Sequence, residues 1–283
     1  MYDPVPQNES RNSLHGDPRD LAPEAHKALT LCLEAVSSFG DGEACGTALD
    51  ALEELLPLLA PSDIDALIGH PEYVAVRAKL IRACAETWFQ RECDLASRAL
   101  DDESSLTLRT LFDDHIPRDA YADELAVLRS IEPRNILIIG SGACPMSAIV
   151  IQDAFPAAAV VGMDRSPRAC ELSARLLTAY GHRNVTILRG DAAGPIDVQR
   201  FDCILLALTV GIDEADKRRI IRSLRGAADP AATLVVRTAA GWGRVLYPGT
   251  DLPVISARAN LHRSISAHQR SVAVAVPFSE LPD

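Results

Sequence analysis

The sequence has little with which to leave a cell or enter a membrane. Its first 20 residues, MYDPVPQNESRNSLHGDPRD, are polar and proline-bearing without an apolar signal core, and no later run approaches the roughly 18 apolar residues of a membrane span. Its seven cysteines (Cys32, Cys45, Cys84, Cys93, Cys144, Cys170, Cys203) are odd in number and scattered, with no C-x-x-C pair, which argues against a zinc site or a disulfide framework. His115, His262 and His268 lack metal-ligand spacing, so no metal is expected. Lysine is scarce: Lys27, Lys79 and Lys217 are the only ones, and arginine supplies every other basic residue, as in a GC-rich bacterial gene. Basic residues are also too few, 28 against 39 acidic, and a net charge of −11 repels nucleic acid and anionic lipid. The expectation is a soluble cytoplasmic protein with reduced thiols and a small-molecule substrate, engaging neither nucleic acid nor membrane.

What is present is ordinary globular composition, 48% hydrophobic and 24% charged over 283 residues, enough for a large core. Residues 1–20 have no apolar periodicity and are expected to form a flexible tail. From Leu21 the apolar residues recur at three- and four-residue spacing (Leu29, Cys32, Leu33, Val36, then Leu49, Leu52, Leu55, Leu56, Leu59), which is helical periodicity. Pro61-Ser62-Asp63 offers a Ser or Asp cap to the next helix, and a longer helix is expected from about Pro71 to Leu100. Residues 21–132 thus read as a helical substrate or lid domain, covering the carboxyl edge of an α/β domain at 133–283.

The change comes at Glu132-Pro133. Asn135-Ile136-Leu137-Ile138-Ile139 is a continuous apolar run, as in a parallel strand buried on both faces. Similar runs follow at Ala158 to Met163, Val185 to Leu188, Cys203 to Leu208 and Thr233 to Val236, with helix-length segments between the first four. The alternation predicts an α/β fold with a doubly wound sheet, and the alternating Ser271 to Val276 stretch predicts an antiparallel edge strand.

In such a sheet a nucleotide-type ligand sits beyond the carboxyl ends of the strands. Gly140-Ser141-Gly142 occupies the first turn there, and Pro145 suits the first position of the following helix, where its missing N–H costs nothing. Asp164 falls 24 residues after Gly140, near the spacing of a carboxylate that bonds ribose hydroxyls, and Asp191-Ala192 follows the third strand, where a carboxylate can accept from an adenine amino group. Pro145 stands where a dinucleotide fingerprint has its third glycine, so S-adenosylmethionine fits better than NAD.

Gly140-Ser141-Gly142-Ala143-Cys144-Pro145-Met146-Ser147-Ala148-Ile149-Val150 resembles the G-S-G-x-x-P-L-T-S-I-V segment of the nicotianamine synthase family, which includes the bacterial opine-metallophore synthases. Leu206-Ala207-Leu208-Thr209-Val210-Gly211-Ile212-Asp213 is similar to that family's L-A-A-L-V-G-M-D, and Arg237 to Pro248 to its R-S-A-H-G-A-R-A-F-L-Y-P. The resemblance covers about Ile136 to Val276. It implies a class I methyltransferase-like (Rossmann-like) fold and an enzyme that moves the 3-amino-3-carboxypropyl group of S-adenosylmethionine and releases 5′-methylthioadenosine. It also implies cofactor contacts from Gly140, Ser141, Gly142, Pro145, Asp164, Asp191, Ala192, Ala207, Leu208 and Arg237, with Arg237 pairing the methionyl carboxylate and Tyr247 facing the sulfonium. Leu80-Ile81-Arg82-Ala83-Cys84-Ala85-Glu86 is similar to the family's L-I-R-L-C-x-E and places Glu92 where a family carboxylate meets the acceptor amine.

The chain departs from the family in two places. The aromatic P-Y-x-x-N-Y segment is replaced by Phe112 to Tyr121, with Glu124 fitting the later family glutamate, and Trp242 fills a gap where it would narrow the pocket. Three other readings therefore stand beside aminocarboxypropyl transfer to an amine or other small nucleophile in bacterial secondary metabolism: acceptor-free cyclisation of S-adenosylmethionine to azetidine-2-carboxylate, small-molecule methyl transfer, and a non-catalytic cofactor-binding scaffold.

Overall fold

The computed structural model describes residues 21–101, 121–250 and 271–281. The expected tail at 1–20, the Phe112 to Ala120 replacement segment and His115, His262 and His268 lie outside the described residues.

Four helices come first: α1 (Pro23–Ser37), α2 (Gly42–Leu55), α3 (Pro61–Gly69) and the long α4 (Pro71–Asp101). Asp41 caps α2 by accepting from the Ala44 N–H at 3.2 Å. The α3 start differs from expectation: Ala60 is the cap residue, and Pro61 takes the first helical position, where it loses no hydrogen bond. Ser62 and Asp63 therefore lie inside the first turn. Buried Leu29, Cys32, Leu49, Leu52, Leu56, Leu67, Tyr73 and Leu80 form the core of this bundle.

After α5 (Ala122–Ile131) the chain alternates: β1 (Asn135–Ile139), α6 (Met146–Ala154), β2 (Ala159–Asp164), α7 (Pro167–Ala179), β3 (Val185–Arg189), β4 (Cys203–Leu206), α8 (Glu214–Ala227), β5 (Thr233–Ala239) and β6 (Ser271–Pro277). The six-stranded sheet has the order β3-β2-β1-β4-β5-β6. Its first four pairings are parallel and β6 is antiparallel beside β5. Two apolar layers cover it: α4 to α7 pack on Ile136, Ile138, Val160 and Leu205, and α8 packs on Leu137, Ile139, Ile204, Leu206 and Val236. This is the class I methyltransferase-like doubly wound fold, preceded by helices. A second expectation also fails. Residues 190–202, between β3 and β4, form turns and no helix, because Gly190, Gly194 and Pro195 break the stretch.

The bundle meets the sheet at one end. Leu208, just beyond β4, and Trp242, Val245, Leu246 and Tyr247, beyond β5, complete the bundle's core. The Tyr73 hydroxyl donates to the Val245 carbonyl at 2.9 Å, and Arg77 of α4 pairs through two nitrogens with Glu214 at the start of α8. The helices thus sit over the carboxyl edge, where ligands of such sheets bind.

Candidate active site

The glycine turn after β1 is built by backbone requirements. Gly140 (φ 80°) and Gly142 (φ 69°) both take left-handed conformations that disfavour a side chain. A methyl group at Gly140 would also collide with Val210, and one at Gly142 with the Glu92 carboxylate. The Gly140 and Ser141 N–H groups donate to the Met163 carbonyl at 2.8 and 3.1 Å, which ties the turn to the end of β2. Pro145 caps α6, one residue before the first helical position expected for it. The Ser141 hydroxyl is buried with no hydrogen-bond partner among the described residues.

Asp164 closes β2 beside this turn. One carboxylate oxygen accepts from Gly142 N–H at 3.0 Å and the other from Ser166 N–H at 2.9 Å, so backbone donors hold the group at the turn. The Asp164 carbonyl accepts from Gly190 N–H at 3.0 Å, carrying the same edge on to Asp191. Asp191 is exposed, its carboxylate accepting from Ala193 N–H at 2.9 Å, while Ala192 is buried. Ala207 and Leu208 follow β4, with the Ala207 N–H on the Ile139 carbonyl. The structure therefore gathers Gly140, Ser141, Gly142, Pro145, Asp164, Asp191, Ala192, Ala207 and Leu208 at the carboxyl edge.

Glu92 arrives from the other half of the molecule. It lies within α4, and its carboxylate rests over Gly142, filling the space that any side chain there would need. The Cys144 thiol donates to the Glu92 carbonyl at 3.3 Å, which fixes α4 against the turn. Burial pushes the Glu92 carboxyl up to about 7, and the nearby Asp164 charge adds to the shift, against the N–H groups of Ala143 and Cys144 and the Arg237 guanidinium. A carboxyl poised near neutrality beside a turn that admits a ligand is suited to proton transfer.

Arg237 and Tyr247 are placed less simply. The Arg237 guanidinium pairs through two nitrogens with Glu124, which is 2% exposed, donates to Ser147 Oγ at 2.8 Å, and sits 5.1 Å from the Tyr121 ring centroid. Glu124 is buried and Arg237 partly so, with Ser147 in the first helical turn after the glycine turn. Tyr247 is buried in the bundle core and donates its hydroxyl to Glu53 at 2.9 Å. Trp242, expected to narrow the pocket, is buried in the same apolar cluster as Leu208, just beyond the carboxyl end of β4. Sequence reasoning missed Glu53, Ser147 and the fully buried Lys217, whose amine donates to the Leu208 and Arg237 carbonyls. A signal for Lys217 existed: it heads the apolar stripe Ile220, Ile221, Leu224 in a chain with only three lysines. Among the described residues there is no cluster of His, Cys, Asp and Glu able to hold a metal ion, and no helix is long and apolar enough to cross a membrane.

The profile of the family "Nicotianamine synthase protein" matches residues 49–262. The chain belongs to the nicotianamine synthase family. Among its relatives, nicotianamine synthase 9 of Hordeum vulgare is 29% identical over 68% of this chain and 59% of its own length. Nicotianamine synthase 2 of Oryza sativa subsp. japonica is 28% identical over 72% of this chain and 66% of its own length. The chain thus spans about three fifths of the length of the barley relative. The crystal structure of a glutamate-to-glutamine mutant of MtNAS superposes with a TM-score of 0.71 at 18% identity, covering 90% of this chain and 98% of that one. MtNAS in complex with MTA and tNA gives 0.70 at 17% identity over the same shares. These two establish a shared fold from the bundle to the edge strand.

Proposed function

We propose that the protein transfers the 3-amino-3-carboxypropyl group of S-adenosylmethionine to an amine and releases 5′-methylthioadenosine. The observation that carries the reading is the Glu92 carboxylate, held over Gly142 in the glycine turn of a nicotianamine synthase family member. The residues present fit such a co-substrate. The positive-φ glycines let the backbone approach it, Asp164 can exchange its backbone donors for ribose hydroxyls, and the orphaned Ser141 hydroxyl is free to bond. When bound, the sulfonium supplies an activated carbon whose leaving group is a neutral thioether.

Glu92 then has a defined task. Its ionised carboxylate holds the acceptor's ammonium and takes one proton from it, which frees the nitrogen lone pair to form the new C–N bond. The C–S electron pair passes to sulfur, leaving 5′-methylthioadenosine. The bundle over the carboxyl edge excludes water and orients the acceptor, which favours an attack that disperses charge. Arg237, with its charge balanced by Glu124, braces α5 and the start of α6 beneath this site. A bacterial secondary-metabolic enzyme of the cytoplasm fits the arginine-dominated composition and seven cysteines that form no disulfide.

The test is product analysis by mass spectrometry after incubation with S-adenosylmethionine, with and without candidate amines. Methylthioadenosine that depends on an amine supports the proposal. Its release with azetidine-2-carboxylate and no acceptor supports cyclisation, S-adenosylhomocysteine indicates methyl transfer, and binding without turnover indicates a scaffold.

A further inference from the structure

The β4–β5 ladder ends at the Leu206–Val236 pair. Beyond it β4 turns away, while β5 continues beside β6 with Arg237 opposite Ala273. This divergence leaves the carbonyls of Leu208 and Arg237 without strand partners on the side where the two chains separate. Lys217 fills the gap: its amine donates to Leu208 O at 3.0 Å and to Arg237 O at 2.9 Å, and the side chain is completely buried. The mount is rigid. Asp213 caps α8 by accepting from Asp216 N–H at 2.8 Å, and the Asp216 carboxylate accepts from Ile212 N–H at 3.1 Å. Gly211, at φ 89°, folds so closely over the first turn that an added Cβ would lie 3.0 Å from the Lys217 backbone.

Both carbonyls belong to walls of the candidate site. Leu208 leads into the loop whose Val210 side chain, with Ala207, occupies the space beside Gly140. Arg237 carries the guanidinium that holds Ser147 and Glu124. We propose that Lys217 is a positioning residue, its amine spanning the opening between β4 and β5 so that ligand contact at Val210 tightens its two hydrogen bonds and holds Val210 and the Arg237–Glu124 pair in place at the co-substrate site. Burial alone lowers the amine to about 7, and a neutral amine has two N–H donors, one for each carbonyl. The proposal rests on the S-adenosylmethionine reading above.

Lys27 and Lys79 are both exposed, so a Lys27→Arg, Lys79→Arg protein retains Lys217 as its sole lysine without disturbing the core. That protein, labelled with 13C-lysine, is titrated with 5′-methylthioadenosine while calorimetry measures the affinity. The single Cε–Hε resonance should shift and saturate with the calorimetric Kd. In parallel, Lys217→Met should weaken the affinity for methylthioadenosine at least tenfold and raise KM for S-adenosylmethionine by a similar factor, with kcat falling less. Hydrogen exchange should quicken at 207–212 and 237–240. An unmoved resonance at saturation overturns the proposal even if Lys217→Met fails to fold, as does a folded Lys217→Met with unchanged affinity. No binding heat for the parent protein would instead fail the S-adenosylmethionine reading, and this proposal with it.

Discussion

Replacing Glu92 with glutamine should make the protein more stable and far less active. The carboxyl would ordinarily ionise near 4.5, and burial beside Asp164 raises it to about 7 in the folded chain. A shift of that size corresponds to about 3 kcal/mol. Between the two values the folded state holds a proton that the unfolded state has released, so rising pH erodes stability across pH 4.5–7. The penalty is complete above pH 7 and absent below 4.5. Glutamine is neutral throughout. At pH 8 Glu92→Gln should therefore be more stable than wild type by about 1–3 kcal/mol, the lower figure allowing for weaker pairing with the Ala143 and Cys144 N–H groups. The difference should vanish near pH 4.5. Activity should run the other way: wild-type kcat/KM rises with pH to a plateau above about 7, as the general base ionises, and the variant loses that limb and on the order of 10²–10⁴ in rate. Urea unfolding of both proteins from pH 4.5 to 9, with methylthioadenosine release over the same range, reads both effects. A stability difference that is the same at every pH, or wild-type activity that peaks near pH 5, would refute the assignment.

Other substitutions separate the parts of the site. Gly142→Ala should cost about 1–2 kcal/mol in backbone strain and drive the new methyl into Glu92, lowering S-adenosylmethionine affinity at least tenfold; Gly181→Ala, at φ 82° with nothing nearby, is the control that should leave affinity unchanged. Asp164→Ala should lose both affinity and about 1–3 kcal/mol of stability, since it strips acceptors from Gly142 and Ser166 N–H; calorimetry showing unchanged affinity would reject the ribose role. Glu124→Ala leaves the partly buried Arg237 charge with Ser147 and no carboxylate and should destabilise by about 1–3 kcal/mol in chemical denaturation, with no measurable cost speaking against the pair. Lys217, lowered from 10.5 to about 7 by burial, binds its proton more readily in the unfolded chain. The stability of wild type relative to Lys217→Met should therefore rise with pH from about 7 to 10.5 in urea titrations, and a flat difference would contradict it.

Much of the architecture was legible in the residues alone, because it rests on local rules. Apolar runs of the length of Asn135–Ile139 need cover on both faces, and the three- and four-residue spacing of Leu49, Leu52 and Leu56 marks one side of a helix. The glycine turn and Asp164 are read the same way, since a turn at positive φ and the end of a strand are properties of a few adjacent residues. Local reading failed where local cues conflicted, as between β3 and β4, where length suggested a helix and Gly190, Gly194 and Pro195 forbade one. Only the tertiary structure decided which charges meet. It set Glu92 over Gly142, paired Arg237 with Glu124, gave the Tyr247 hydroxyl to Glu53 and drew Trp242 into the bundle core. It also drove Lys217 between two strands that part company. These outcomes depend on which distant surfaces exclude water together. The cost of burying a charge, and the partner that offsets it, exist only after packing has removed the solvent.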